Sequence, residues 1–153
     1  MNRRTLLKRS LAVGSVGIAA SAGLLTPGHV LAAYPSAAFE AKDTAGALSA
    51  AVGSGNTEDS GDIKIKAPDI AENGSVVPVT VSTGMSGVES ITLLADANNS
   101  PLIGSFDVSG AEPYVSTRIK LGKTGNVMAV VKSGGKLYAS QKEVKVTIGG
   151  CGG

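Results

Sequence analysis

From Ile63 onward apolar and polar residues alternate, Ile63 and Ile65 against Lys64 and Lys66. A period of two is that of a strand with one buried face. The signature recurs at short intervals and predicts further strands over 76–82, 88–94, 102–108, 114–121, 126–131 and 137–148. Between them stand Glu72-Asn73-Gly74, Asn98-Asn99-Ser100-Pro101, Lys123-Thr124-Gly125 and Ser133-Gly134-Gly135, residue types that suit tight reversals. About seven short strands so spaced imply a mostly β fold, an immunoglobulin-like antiparallel β-sandwich. It differs from antibody domains in lacking a Cys-Trp-Cys core. Pro78 falls inside the second strand, and because proline cannot donate to ladders on both sides it predicts an edge position. Edge strands need covering, and a partner subunit is one source of cover.

Upstream, residues 36–52 are Ala-rich, with Phe39, Leu48 and Val52 near one helical face and Ser36 or Asp43 available as N-cap. They predict one short N-terminal helix. Residues 53–62 (GSGNTEDSGD) have no apolar period and read as a loop. Its carboxylates Glu58, Asp59 and Asp62 do not follow the spacing of a calcium loop and read as solvated charge.

The first 33 residues differ in kind. Asn2-Arg3-Arg4-Thr5-Leu6-Leu7-Lys8 is a basic, twin-arginine start, followed by an apolar and small-residue run from Leu11 to Pro27. That run is too short and too rich in Gly, Ala and Ser to span a bilayer securely. With small residues for cleavage at Val30-Leu31-Ala32-Ala33, it predicts an export signal over 1–33, removed after passage by the twin-arginine (Tat) route to the periplasm. Its removal takes four of the 14 basic residues (Arg3, Arg4, Lys8, Arg9) and none of the 12 acidic ones, so a net charge of +2 becomes −2. No basic stretch interleaved with aromatics remains, which argues against nucleic acid as a partner.

His29, the one histidine of the 153 residues, also leaves with the signal. The mature chain then has no imidazole base for a Ser or Cys nucleophile and no His-based metal shell. A single cysteine makes neither a Cys-x-x-Cys redox pair nor a zinc site. No catalytic residue, metal ligand or cofactor is assigned, and the domain of 34–148 is expected not to be an enzyme.

The last strand alternates Val144, Val146 and Ile148 against Lys145 and Thr147, then stops at Gly149-Gly150-Cys151-Gly152-Gly153. Four glycines around one cysteine deny the tail side-chain packing and raise the entropy cost of ordering it, so residues 149–153 are expected to be a mobile, exposed arm. Five extended residues reach roughly 15 Å, enough to thread a thiol into a narrow cleft of another protein. A free thiol, with a pKa of about 8.5, is only a few per cent thiolate at neutral pH, so activation falls to the receiving enzymes. A second reading is an exported immunoglobulin-like binding or structural module whose Cys151 only cross-links two copies by a disulfide.

Leader, helix, the run Ala67-Pro68-Asp69-Ile70-Ala71-Glu72-Asn73-Gly74 with Val77-Pro78-Val79, the segment Ser116-Thr117-Arg118-Ile119-Lys120, and the Gly-Gly-Cys-Gly-Gly ending together resemble the SoxY family of sulfur carriers. The resemblance implies that Cys151 carries thiosulfate-derived sulfur covalently, with Gly149, Gly150, Gly152 and Gly153 as its swinging arm. It implies a heterodimer with SoxZ, exported together in the folded state. It also implies transient docking to the haem protein SoxAX, which would load thiosulfate, to the metal enzyme SoxB, which would release sulfate, and in some organisms to SoxCD.

Overall fold

The structure, a computed structural model, describes residues 35–147. The expected export signal of 1–33 and the arm of 149–153 lie outside the described residues.

The N-terminal segment holds two helices where one was expected: α1, Ser36–Glu40, and α2, Thr44–Val52. Ala41 breaks them apart with φ −57° and ψ 142°. Asp43 then restarts the helix as N-cap, its Oδ1 accepting from the Gly46 N–H at 2.7 Å. Such a cap satisfies one of the orphan amides of a first turn. The helix stops at Gly53, whose φ of 85° favours a residue without Cβ and whose N–H donates to Ser49 O at 2.9 Å.

Nine strands follow among the described residues: β1 Glu58–Asp59, β2 Ile63–Lys66, β3 Ile70–Ala71, β4 Val77–Thr83, β5 Val88–Ala95, β6 Leu102–Asp107, β7 Tyr114–Ile119, β8 Gly125–Ser133 and β9 Lys136–Val146. Seven of them are the strands the alternation predicts. The other two, β1 and β3, have two residues each and pair in parallel with β9, whereas the seven longer strands pair antiparallel throughout. One sheet has the order β1-β9-β8-β5-β6 with β3 also on β9, and the other the order β2-β4-β7. The result is a mostly β sandwich, as expected.

Val77, Val79 and Val81 of β4 face Ile91, Leu93, Val127, Ala129, Val131 and Val144 of the larger sheet in the main core. Burying each such side chain contributes about 1.5–3 kcal/mol. A second core lies on the other face of the larger sheet, where Ala38, Ala47 and Leu48 of the helices pack on Leu94, Leu102, Val130, Leu137 and Ala139. Helices, large sheet and small sheet therefore form three layers, and β5 and β8 are buried on both faces. The one buried polar side chain there, Thr92, is satisfied by a 2.8 Å hydrogen bond to Ser105 Oγ.

Pro78 corrects the edge expectation, because β4 is the middle strand of the small sheet. The physical constraint is met in another way. β2 pairs with β4 only over Thr80 to Thr83, so Pro78, opposite Arg118 of β7, sits where β4 has a neighbour on one side only. The edges of that sheet are β2 and β7.

Candidate functional site

Cys151 and Gly149, Gly150, Gly152 and Gly153 lie outside the described residues. What the structure does place is the strand that leads to them. β9 ends at Val146, and Thr147 is the last described residue.

That end is held from both sides. On one, β3 runs parallel to it with Ile70 opposite Lys145 and Ala71 opposite Val146. The Lys145 N–H donates to Asp69 O at 2.9 Å and the Thr147 N–H to Ala71 O at 3.2 Å. β3 is itself tethered to β9 one turn of the pleat earlier. Lys142 Nζ donates to Ala67 O at 2.7 Å and pairs with Asp69 Oδ1 at 3.0 Å.

On the other side β8 begins at Gly125, opposite Val144, and so stops short of Val146. Thr124 supplies the missing partner with its side chain. Its Oγ1 accepts from the Val146 N–H at 2.9 Å and donates to Val146 O at 3.4 Å. A hydroxyl that can both donate and accept thus closes a position where the backbone ladder has run out.

Beneath lies Gly74. Its carbonyl accepts from the Leu121 N–H at 2.7 Å, and a Cβ built on it would collide with Leu121 O and come within 2.9 Å of Val146 Cγ1. Glycine is required here by close approach, not by an unusual φ. The segment from Ala67 to Gly74 is therefore a clip on the root of the arm. In the sequence this run carries part of the family resemblance, but Glu72-Asn73-Gly74 reads only as a turn and Thr124 as no more than a turn residue. A β-branched hydroxyl immediately before the first strand residue was the one available signal.

Lys142, Lys145, Lys123 and Arg118 are distributed around this end of the sandwich, with only Lys142 in an ion pair among the described residues. Glu58, read as solvated charge, is an exposed partner of Lys136 at 3.4 Å. Among the described residues no group of three or more His, Cys, Asp or Glu is placed to hold a metal ion.

Past the firmly held strand end and the last described residue, the sequence continues into a lone cysteine set between paired glycines. Residues 48–151 match the model of the family described as sulfur oxidation protein SoxY. That match spans more than half of the chain and runs to Cys151, so the chain belongs to the SoxY family of sulfur oxidation proteins. Among solved structures it is similar to the sulfur carrier protein SoxY from Chlorobium limicola f thiosulfatophilum, with 50% identity and a TM-score of 0.56 over 60% of this chain and 84% of that one. An engineered protein also matches at 18% identity and a TM-score of 0.41, over 56% of this chain and 20% of that one. No curated protein matches the chain.

Proposed function

We propose that this chain is a periplasmic sulfur carrier, exported by the Tat route, that binds thiosulfate-derived sulfur covalently on Cys151. The observation that carries the reading is the family match extending through the Gly-flanked cysteine, joined to 50% identity with a sulfur carrier protein. The clip at Asp69–Ala71, Thr124 and Gly74 supports it, because it fixes the point from which a glycine arm would swing. From Thr147 to Cys151 an extended chain spans roughly 13 Å.

The chemistry asked of the chain is small. Oxidative loading joins the Cys151 thiolate to the outer sulfur of thiosulfate. One S–S bond forms, and two electrons pass to a haem enzyme of the SoxAX kind. Hydrolysis by an enzyme of the SoxB kind then cleaves the bond from the sulfane sulfur to the sulfonate. Water supplies the oxygen of the departing sulfate, two protons are released, and a persulfide stays on Cys151. Every bond change takes place in another protein's cleft, and this chain supplies the sulfur anchor and its reach. A SoxZ subunit as permanent partner belongs to the same reading.

Intact-mass spectrometry of the protein from thiosulfate-grown cells tests it. Reductant-labile additions of sulfur or thiosulfonate mass on the terminal peptide are expected. Cys151→Ser should keep the melting temperature and abolish thiosulfate oxidation. Undiminished oxidation by that variant would end the proposal.

A further inference from the structure

Among the described residues no layer packs on the outer face of the small sheet. Strand register sets it out in three rows: Lys64, Ser82 and Tyr114; then Lys66, Thr80 and Ser116; then Pro78 and Arg118. Their neighbours Ile63, Val77, Val79, Val81, Val115 and Ile119 point into the core, so these eight point away from it. Lys64, Lys66, Pro78, Tyr114, Ser116 and Arg118 are exposed, Tyr114 to 52%.

The charge on this face is of one sign. Lys64, Lys66 and Arg118 stand on it with no acid among the eight positions, and none of the three is in an ion pair with a described residue. A groove of about 520 Å³ opens between Lys64, Lys66, Tyr114 and Lys142. The segregation runs against the composition, since all 12 acids of the sequence follow residue 33 and only ten bases do.

The face also adjoins the end of β9, from which the arm departs in sequence. Its last row, Pro78 and Arg118, lies one residue before the Val77 and Ile119 pair, and beyond that pair the two chains meet in the Gly74 to Leu121 hydrogen bond on which Val146 rests. A protein that draws the arm into a cleft meets this end of the sheet.

The geometry points to the outer face of β2, β4 and β7 as the docking surface for the acidic rim of an enzyme that processes the arm. The inference rests on the carrier reading and adds to it the place and chemistry of contact. A second copy of this chain is disfavoured as occupant, because a two-fold pairing of this face would set cation against cation. A permanent subunit is disfavoured too, since obligate interfaces are more apolar, whereas these rows are lysine, arginine and hydroxyl side chains around one tyrosine. Such surfaces steer encounter and release readily as ionic strength rises.

The test uses the full protein, purified with whatever subunit accompanies it, added back to periplasmic extract of a strain lacking its gene. Thiosulfate oxidation is followed against carrier concentration for wild type and for K64E/K66E/R118E. At low salt the reversal should raise the half-saturating concentration on the order of ten-fold with the maximal rate kept, and high salt should bring wild type towards the variant. Thiol titration of Cys151, the melting temperature and the accompanying subunit should not change. The milder K64Q/K66Q/R118Q should fall between the two, and it carries the test if the reversal fails to fold. Equal half-saturation for all proteins at every salt concentration would overturn the docking surface and leave the carrier reading standing. So would loss of the accompanying subunit, which would assign this face to the permanent interface. If wild type itself restores no oxidation, the carrier reading fails and the docking surface falls with it.

Discussion

Replacing Gly74 by alanine probes the clip at its tightest point. The added Cβ would overlap Leu121 O and stand 2.9 Å from Val146 Cγ1, closer than real Cβ contacts come. One obstacle is backbone and the other belongs to a strand paired on both sides, so neither yields without displacing its element. Overpacking of this kind costs about 1–3 kcal/mol. The 2.7 Å hydrogen bond from the Leu121 N–H to Gly74 O would be strained as well, adding about 1 kcal/mol if it is lost. A total of about 2–4 kcal/mol corresponds to a drop of roughly 8–16 °C in melting temperature for a domain of this size. Thermal and urea unfolding followed by circular dichroism would measure it, with Gly61→Ala as control, because a Cβ there meets nothing within 4 Å and the position has no positive φ. The control should be neutral or slightly stabilising. A Gly74→Ala change below about 0.5 kcal/mol, the usual range of an innocuous surface substitution, would refute the close-approach argument.

Thr124→Val keeps shape and removes both hydrogen bonds to Val146. It should cost about 1 kcal/mol and speed hydrogen exchange at Val146 while leaving the centre of β9 protected, whereas Thr124→Ser should restore most of the protection. Asp43→Ala deletes the cap of α2 and should lower stability by about 1 kcal/mol, read from the urea midpoint at unchanged slope. Asp107 is held below its ordinary carboxylate value by hydrogen bonds from Ser109, the backbone N–H first at 2.9 Å. Because its folded pKa is the lower one, its stabilisation is present above the unfolded value and is lost as pH falls through the folded value. An NMR titration should find its midpoint below 3.8, and Asp107→Asn should remove that acid-side dependence.

How much of this was legible in the sequence follows from what leaves a period behind. Strands β2 and β4 to β9 are four or more residues long and are set apart by alternation or by the turn residues between them, so their positions could be read directly. β1 and β3 are too short to hold a period, and they form only because β9 offers them a free edge. The helix pair was read as one because Ala41 and Lys42 have no breaker chemistry, although Asp43 was visible as a cap. The third layer left a trace in the unbroken apolar run of Val127, Met128, Ala129, Val130 and Val131, which a strand buried on one face would not carry. Pro78 misled because a strand can be central over part of its length and unpaired over the rest. The cysteine and its glycines stood out by composition alone. The clip could not be foreseen, since Thr124 and Gly74 act through contacts with residues over 20 and 70 positions away in the chain.

The antiparallel ladder from Gly125 to Ser133 along β9 has a mechanical corollary. Hydrogen bonds in such a ladder lie across the strand, so a tug on the chain beyond Thr147 is directed along β9 and loads its nine pairings with β8 side by side in shear. They must give way together and cannot be peeled one at a time. Force applied to the terminus is then borne by the whole sheet, and the strand can be pulled repeatedly without unravelling from its end.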